Sequence, residues 1–216
     1  MTSPASLSFA AELPFKYVGG DTSVDLVNTV DWAQRGLVED RLTDYDRLTR
    51  WAEGAEVLAP RQATVLRQLA IKHPRLAERV HREAVELRWR LRQLFLALER
   101  ADRLDQVPEL AAFNAALGSV MSRIALAAPT RGDARKALRW SWRDAAERLD
   151  WPLWPVIRSA AELLVSDEAA HLRECGGQDC GWMYVDRSRN GLRRWCQMET
   201  CGNREKQRRR GLVNSQ

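Results

Sequence analysis

The stretch Cys175–Arg210, CGGQDCGWMYVDRSRNGLRRWCQMETCGNREKQRRR, contains all four cysteines of the 216-residue chain. They form two C-x4-C pairs, Cys175 with Cys180 and Cys196 with Cys201, and fifteen residues separate the pairs. Two pairs of thiols, each presented by one tight turn, are the ligand set of a tetrahedral structural Zn²⁺ site. The sequence therefore predicts one structural zinc ion, held by these four side chains, around which the C-terminal part of the chain folds.

The residues between the cysteines predict the shape of this zinc-binding unit. Residues 182–186 alternate as in a strand, Asn190-Gly191 is a strong hairpin signal, and residues 192–195 are predicted to return as the second strand. Cys201 is expected where a basic helix begins, near Asn203, because the helix dipole favours a thiolate there. A knuckle, a hairpin and a helix that brings the last ligand make a treble-clef-like finger. Loss of one ligand is expected to unfold this unit and to leave the rest of the chain folded.

Two segments resemble a known protein family. The segment 188–210 resembles the CGNR zinc finger, which is named for the tetrapeptide found here at Cys201–Arg204. Upstream, the VDLVNT run at 24–29 resembles the LDFxNT signature of the ABATE domain, which precedes that finger in the family. The resemblance implies an ABATE-like domain over residues 1–166 and a CGNR zinc finger with a basic helix over 167–216. It also implies a stress-responsive transcription regulator.

Positive charge is concentrated at the C-terminus. The net charge is +5, but the residues from Arg187 onward include nine Lys or Arg and only two acidic residues, so the rest of the chain carries −2. This asymmetry favours a polyanionic partner, with DNA before RNA, although a solvated basic tail without a partner is the simpler alternative. The candidate nucleic-acid-binding residues are Arg187, Arg189, Arg193, Arg194, Asn203, Arg204, Lys206, Arg208, Arg209 and Arg210.

Two of these residues allow two interpretations. Asn203 and Arg204 have side chains suited to the edges of adenine and guanine, respectively. So near a helix start, however, Asn203 can simply cap the helix, and Arg204 can pack on Trp195.

The VDLVNT run also allows two interpretations. Asp25, Asn28 and Thr29 can be cap and turn residues at the start of a helix from Asn28 to about Gln34. Alternatively, they can line a pocket for a small-molecule effector.

The remaining chain predicts a mostly helical body. Helices are expected over residues 44–53, from Pro60 to His73, over 75–103, over 108–121, and from about Pro152 to Val165, with a short strand at 15–18. The arginines of the longest helix, including Arg88 and Arg92, are expected on its outer surface. Residues 124–126 and 138–142 alternate and predict a β-hairpin with one apolar face, joined by a turn at 129–133. The clustered tryptophans Trp140, Trp142, Trp151 and Trp154 are expected in the core.

Several classes of protein are disfavoured by the sequence. No apolar run approaches the eighteen residues of a membrane span, and the first residues lack the basic and apolar regions of a signal peptide, so a cytoplasmic protein is expected. Motifs for a nucleophile elbow, a phosphate loop, a dinucleotide site or a zinc protease are absent, so no enzyme is expected. The sequence thus favours an α+β protein, with a largely helical body, a small hairpin and a C-terminal finger, that regulates transcription by binding DNA. The alternative is a ligand- or protein-binding sensor in which the finger is purely structural.

Overall fold

The computed structural model describes residues 14–32, 39–128 and 137–213, with the side chains of residues 211–213 left out. The helices of the body are α1 (Thr22–Val27), α2 (Tyr45–Gly54), α3 (Pro60–Lys72), α4 (Pro74–Glu99), α5 (Glu109–Met121) and α6 (Leu153–Leu164). The strands are β1 (Ile124–Ala127), β2 (Arg139–Trp142), β3 (Leu172–Glu174) and β4 (Met183–Val185), and α7 (Asn203–Val213) is the last helix. This arrangement confirms the predicted α+β class with a helical body and a C-terminal four-cysteine unit.

Helix α4 is the centre of the body, and it contacts α1, α2, α3 and α5. The predicted helices at 44–53, 60–73, 75–103, 108–121 and 152–165 are confirmed to within a few residues at their ends. Asp44 caps α2 by accepting a hydrogen bond from the backbone N–H of Arg47, and Pro60 and Pro74 open α3 and α4. The apolar sides of these helices close a core that includes Trp51, Leu91 and Phe95.

The VDLVNT run forms a helix earlier than predicted. Helix α1 begins after Asp21, whose side chain caps it, and Asn28 is the residue that ends it. Residues 28–32 are therefore not helical, and the rest of the predicted helix, 33–34, lies outside the described residues. The predicted strand at 15–18 is also wrong, because these residues form no regular element. Helix α1 is short but almost wholly buried, since Val24, Leu26 and Val27 are fully inaccessible to solvent.

Two arginines of α4 lie inside the protein, so the prediction that they face outward is wrong. Arg88 makes a paired hydrogen bond to both carboxylate oxygens of Asp40, at 2.7 and 2.6 Å. Arg92 reaches the carbonyl oxygen of Gly181 at 2.6 Å and the carboxylate of Glu174 at 2.7 Å. A buried guanidinium is tolerated here because carboxylate, hydroxyl and carbonyl oxygens accept from its terminal nitrogen atoms, although the Nε of Arg88 is buried without a partner.

Strands β1 and β2 form the predicted antiparallel hairpin, in the register Ile124↔Trp142 and Leu126↔Trp140. The predicted turn at 129–133 lies outside the described residues. Of the four clustered tryptophans, Trp151 and Trp154 are buried as expected and Trp142 is half-buried. Trp140 is 60% exposed, so its assignment to the core is wrong.

The second hairpin belongs to the C-terminal unit, and its pairing differs from the prediction. Strand β4 pairs with β3 in the register Leu172↔Val185, Arg173↔Tyr184 and Glu174↔Met183, and residues 192–195 do not form a strand. The first cysteine pair is therefore presented by the loop that joins β3 to β4. Met183 and Val185 face the core of the body, while Trp182 and Tyr184 pack against the cysteines, as strand alternation requires.

Candidate metal centre and nucleic-acid interface

The four predicted ligands meet at one point. The sulfur atoms of Cys175, Cys180, Cys196 and Cys201 all lie within 4.8 Å of one another, with Cys180–Cys196 at 3.6 Å and Cys196–Cys201 at 3.5 Å. Four sulfurs bound tetrahedrally at about 2.3 Å from a metal ion would be about 3.8 Å apart. The observed spacing therefore fits a four-coordinate metal site.

The backbone around the cysteines holds this geometry. Cys175 donates its N–H to the carbonyl oxygen of Trp182 at 2.7 Å, which closes the loop between β3 and β4. The N–H of Cys196 points to the sulfur of Cys175 at 3.2 Å. Hydrogen bonds among the four thiols lower the pKa of Cys175 and raise the pKa of Cys180 and of Cys196. Donors around sulfur favour the thiolate, and a divalent cation would stabilise several such charges in one place.

The loop between β3 and β4, which we call the knuckle, requires glycine at position 181. Gly181 has a φ of +67°, a conformation that side chains with a β-carbon seldom adopt. A β-carbon at this position would also lie 2.7 Å from the β-carbon of Trp32. The loop can therefore turn back into β4 and remain pressed against the body only because residue 181 has no side chain.

Strand β4 is held on both sides, which explains why residues 192–195 do not pair with it. One edge of β4 bonds to β3. At the other edge, Val185 donates its N–H to the carbonyl oxygen of Gly19 at 2.8 Å. The side-chain amide of Asn28 forms hydrogen bonds with both the N–H and the carbonyl oxygen of Met183. The body therefore occupies the edge that the predicted second strand would need.

The chain between β4 and the second cysteine pair forms a closed loop instead. The carboxylate of Asp186 accepts hydrogen bonds from the N–H groups of Ser188 at 2.9 Å and Arg193 at 3.0 Å. These bonds, with the Ser188 contribution the largest, hold the pKa of Asp186 below its ordinary value. Gly191, at φ +62°, provides the turn that Asn190-Gly191 indicated in the sequence.

Comparison with known families agrees with this geometry. The family model described as "Putative stress-induced transcription regulator", ABATE, matches residues 20–167, more than half of the chain. The chain belongs to the ABATE family. The model described as "CGNR zinc finger" matches residues 171–210, which include the whole cysteine cluster. No curated protein matches the chain.

Two signature residues of the ABATE domain, Asn28 and Thr29, form hydrogen bonds within the protein. Asn28 accepts a hydrogen bond from the N–H of Met183 and donates one to its carbonyl oxygen, both at 2.8 Å, so it binds the CGNR finger as a neighbouring strand would. Thr29 donates its hydroxyl to Leu26 and accepts from the guanidinium of Arg88. Both side chains are buried, and their hydrogen bonds stabilise the fold. These contacts favour the interpretation of Asn28 and Thr29 as structural residues over their interpretation as the lining of an effector pocket.

Asp25 lies beside the loop that contacts the CGNR finger. Its carboxylate accepts a hydrogen bond from the N–H of Gly19 at 2.8 Å, and the carbonyl oxygen of Gly19 in turn accepts from Val185. Burial raises the pKa of Asp25 to about 6, although the hydrogen bond from Gly19 acts in the opposite direction. Asp25 therefore keeps the Gly19–Gly20 loop in the conformation that strand β4 requires.

Three of the predicted nucleic-acid-binding arginines form contacts with other groups of the protein, and of these Arg193 is half-buried while Arg187 and Arg208 remain exposed. Arg187 binds the carboxylate of Glu168 and the carbonyl oxygen of Gly20. Arg193 packs over the ring of Tyr184 at 4.2 Å and donates to the carbonyl oxygens of residues 18, 195 and 196. Arg208 pairs with Glu205, which also accepts from the N–H of Gln178 at 3.3 Å. These three side chains stabilise the CGNR finger and its junction with the body.

The other six predicted basic residues are also exposed and take no part in these contacts, and we call them the exposed basic set. Its members are Arg189, Arg194, Arg204, Lys206, Arg209 and Arg210. Arg194 lies over the ring of Trp195 at 5.4 Å, the packing role that the sequence had suggested for Arg204. Asn203 donates its side-chain amide to the carbonyl oxygen of Glu199 at 3.2 Å, so it braces the start of α7.

The sequence interpretation missed the residues of α4 that hold the CGNR finger. Arg92 bridges Gly181 and Glu174, on either side of the first cysteine pair, and also lies over the ring of Trp32 at 4.5 Å. Helical spacing carried the signal, because Arg92 is three residues before Phe95 and therefore lies on the buried side of the helix. The positive charge of Arg92 favours an exposed position instead, and the structure corrects that prediction.

A last observation concerns membranes. Among the helices of the described ranges, the structure offers none with the length and apolar character needed to cross a bilayer.

Proposed function

We propose that this ABATE-family chain regulates transcription by binding DNA through helix α7 and the loops beside it. The observation that carries the proposal is the exposure of α7: of residues 203–210, Glu205 alone is buried. A helix that packs so little of its surface on its own protein, and carries Arg204, Lys206, Arg209 and Arg210, is suited to the major groove of DNA, which admits an α-helix. The family description supports the same function.

One Zn²⁺ ion would hold the CGNR finger in shape. Four thiolate ligands in a closed tetrahedral set suit zinc, with an iron–sulfur centre as the other metal chemistry for such a set. The ion would cross-link the two cysteine pairs, which are distant in the chain, and would compensate the negative charge of the thiolates. The proposal assigns no catalytic step to the chain, since a site with four protein ligands has no open position.

The exposed basic set would supply contacts to phosphates and at least one contact to a base. Arg189 and Arg194 lie on the loop between β4 and the second cysteine pair, so they can contact the backbone on one side of α7. Arg204 lies in the first turn of α7, the position from which recognition helices contact base edges. We assign base recognition to Arg204, and we assign helix bracing to Asn203.

The test is equilibrium binding of the metal-loaded protein to duplex DNA selected from a random pool, measured at several salt concentrations. Five phosphate contacts, one from each member of the exposed basic set other than Arg204, give a slope of about −4.5 for log K against log salt. Changing Arg204, Lys206, Arg209 and Arg210 together to Gln should abolish binding. The matched control changes the exposed body residues Lys72, Arg75, Arg79 and Arg82 to Gln, with the same loss of charge, and should bind as wild type does.

Three outcomes would contradict the proposal. A salt-independent affinity would exclude phosphate contacts, and equal loss in the control variant would indicate a general charge effect. Tighter binding to duplex or single-stranded RNA of the same sequence would assign the exposed basic set to RNA. Separately, elemental analysis should find one zinc per chain, and a visible absorbance from iron and sulfide would replace zinc with a cluster.

A second candidate function is effector binding by the ABATE domain. An open cavity of about 440 Å³ lies between α2, α3 and α4, and it combines apolar residues such as Ala70 and Ile71 with the polar side chains of Arg67 and His81. A compound that binds there would raise the melting temperature by mass action. In a thermal-shift screen, such a compound should stabilise wild type and not Ala70→Trp, which fills the cavity. Equal shifts in both would place the compound elsewhere.

A further inference from the structure

The β1–β2 hairpin extends beyond the core that supports it. At its inner end, Trp142 packs against Trp154 with ring centroids 6.0 Å apart. At its outer end, the cross-strand pair Leu126 and Trp140 is 58% and 60% exposed. Paired residues of an antiparallel ladder lie on the same face of the sheet, so this end presents an apolar face to solvent.

Neighbouring elements continue this apolar face. An open groove of about 560 Å³ runs between the hairpin, α5 and α6, and Met121, Trp140 and Val165 all line it. We call the exposed apolar residues here the hairpin patch. It comprises Met121 (50% exposed), Leu126 (58%), Leu138 (53%), Trp140 (60%) and Val165 (87%).

The hairpin patch is comparable in area to the largest apolar patch of a typical monomer. If a large apolar side chain carries roughly 150 Å² of surface, the patch exposes on the order of 450 Å². The largest apolar patch on a typical monomer is about 300–600 Å², and one partner of a standard interface contributes about 800 Å². The patch therefore has the size of an apolar interface centre that a polar rim would complete.

The charges beside the patch indicate what covers it. Arg158 and Glu162 line the groove, one turn apart on α6, and form an ion pair at 2.7 Å. Arg158 also lies over the ring of Trp140 at 5.5 Å. A surface with one cation and one anion on the same helix is complementary to itself when a two-fold axis reverses the order of the charges. A polyanion would gain nothing from this neutral pair.

We propose that the hairpin patch is the interface of a symmetric dimer, in which a second copy of this chain covers the groove. The two α6 helices run antiparallel across the axis, so that Arg158 of each copy faces Glu162 of the other. Trp140 enters the apolar centre of the interface. This proposal does not depend on DNA binding, because none of its residues belongs to the CGNR finger.

The first test is sedimentation of the full-length, metal-loaded chain over a range of concentrations. Wild type should sediment as a dimer at micromolar concentration, and Trp140→Glu should raise the dissociation constant about 100-fold, as loss of a central aromatic anchor does. Ile71→Glu is the matched control, because Ile71 is an 80% exposed apolar residue on α3, away from the patch. It should dimerise as wild type does. Leu126→Glu should repeat the effect of Trp140→Glu if the latter proves to be poorly folded by circular dichroism.

A charge exchange tests the identity of the occupant. The Arg158→Glu chain has two acidic residues at the rim and the Glu162→Arg chain has two basic ones, so each alone should be monomeric. An equimolar mixture should restore the dimer as a heterodimer, which native mass spectrometry distinguishes by mass. A wild-type chain that stays monomeric, a Trp140→Glu chain that still dimerises, or a mixture that does not reassociate would each overturn the proposal.

Discussion

Asn28 shows how one side chain can replace a strand. Its amide group bonds to both the N–H and the carbonyl oxygen of Met183, with both bonds buried. An amide side chain can do this because it carries a donor and an acceptor in the same arrangement as the peptide group. The ABATE domain thereby satisfies the open edge of β4 without supplying a strand.

Replacing Asn28 should therefore weaken the junction between the ABATE domain and the CGNR finger. Asn28→Ala leaves a buried donor and a buried acceptor of Met183 without partners, which should lower the free energy of unfolding by about 2–4 kcal/mol. Urea denaturation followed by circular dichroism measures this difference. Asn114→Ala, on the exposed side of α5, removes an amide from a helix surface and should change the stability very little. Equal effects of the two substitutions would show that Met183 does not depend on Asn28.

Asp25 predicts a pH dependence of stability. Its pKa rises from an ordinary 3.8 to about 6 on folding, chiefly because the carboxyl group is buried. Between these two pH values the folded chain holds a proton that the unfolded chain has released, so the free energy of unfolding falls as the pH rises from 4 to 6 and stays lower above 6. The contribution is on the order of 2–3 kcal/mol.

The variant Asp25→Asn isolates this contribution, because it retains an oxygen to accept from Gly19 and does not titrate. Urea unfolding of both proteins at pH 4, 5, 6 and 7 should give curves that diverge in favour of the variant as the pH rises. Parallel stability profiles would show that the pKa of Asp25 is not raised on folding.

At the scale of elements, helix α4 and the knuckle between β3 and β4 form one structural unit. Arg92 crosses from α4 to the knuckle and binds on both sides of the first cysteine pair, at Gly181 and Glu174. Since the guanidinium is buried, its removal leaves a carboxylate and a carbonyl oxygen short of donors. The position of the metal ligands relative to the body therefore depends on a side chain of the longest helix.

A pair of arginine substitutions on α4 tests this dependence. Arg92→Met should lower the free energy of unfolding by about 2–3 kcal/mol, because a partly buried ion pair loses one member. Arg82→Met removes an exposed i,i+4 ion pair with Glu78 on the same helix and should cost less than about 0.5 kcal/mol. Chemical denaturation of the two variants gives the comparison. A cost for Arg92→Met as small as that for Arg82→Met would mean that α4 does not hold the knuckle.

For the whole molecule, the CGNR finger and the ABATE domain share a hydrophobic core. Leu172, Met183 and Val185 come from the β3–β4 hairpin and belong to the main core of the body. The sequence had suggested that loss of a metal ligand would unfold the finger and leave the body unchanged. The shared core changes that expectation, because disorder in the hairpin would also remove apolar contacts from the body.

Calorimetry can measure this coupling. The metal-loaded protein should unfold in a single transition, and Cys196→Ser or exhaustive chelation should lower the melting temperature of the remaining transition by about 10 °C, corresponding to about 4 kcal/mol for a chain of this size. A body that still melts at the wild-type temperature after loss of the metal would show that the two parts are independent.

The sequence by itself determined helices α2 to α7, the cysteine cluster and the family, because these depend on local patterns. Helical periodicity, caps such as Asp44 and the spacing of Cys175, Cys180, Cys196 and Cys201 are properties of neighbouring residues, and the structure agrees with each of them. The concentration of basic residues around α7 was likewise visible before any fold was known.

Only the tertiary structure decided which polar residues form contacts within the protein and which strands pair with each other. Arg187 and Arg193 carry the same charge as Arg204, and nothing local distinguishes a guanidinium that binds oxygen atoms of its own protein from one that binds only water. Asn190-Gly191 forms its turn, yet residues 192–195 do not pair, because Gly19 and Asn28 occupy the edge of β4 from more than 150 residues away along the chain. Such competition between distant segments for one set of backbone hydrogen bonds is settled by three-dimensional proximity.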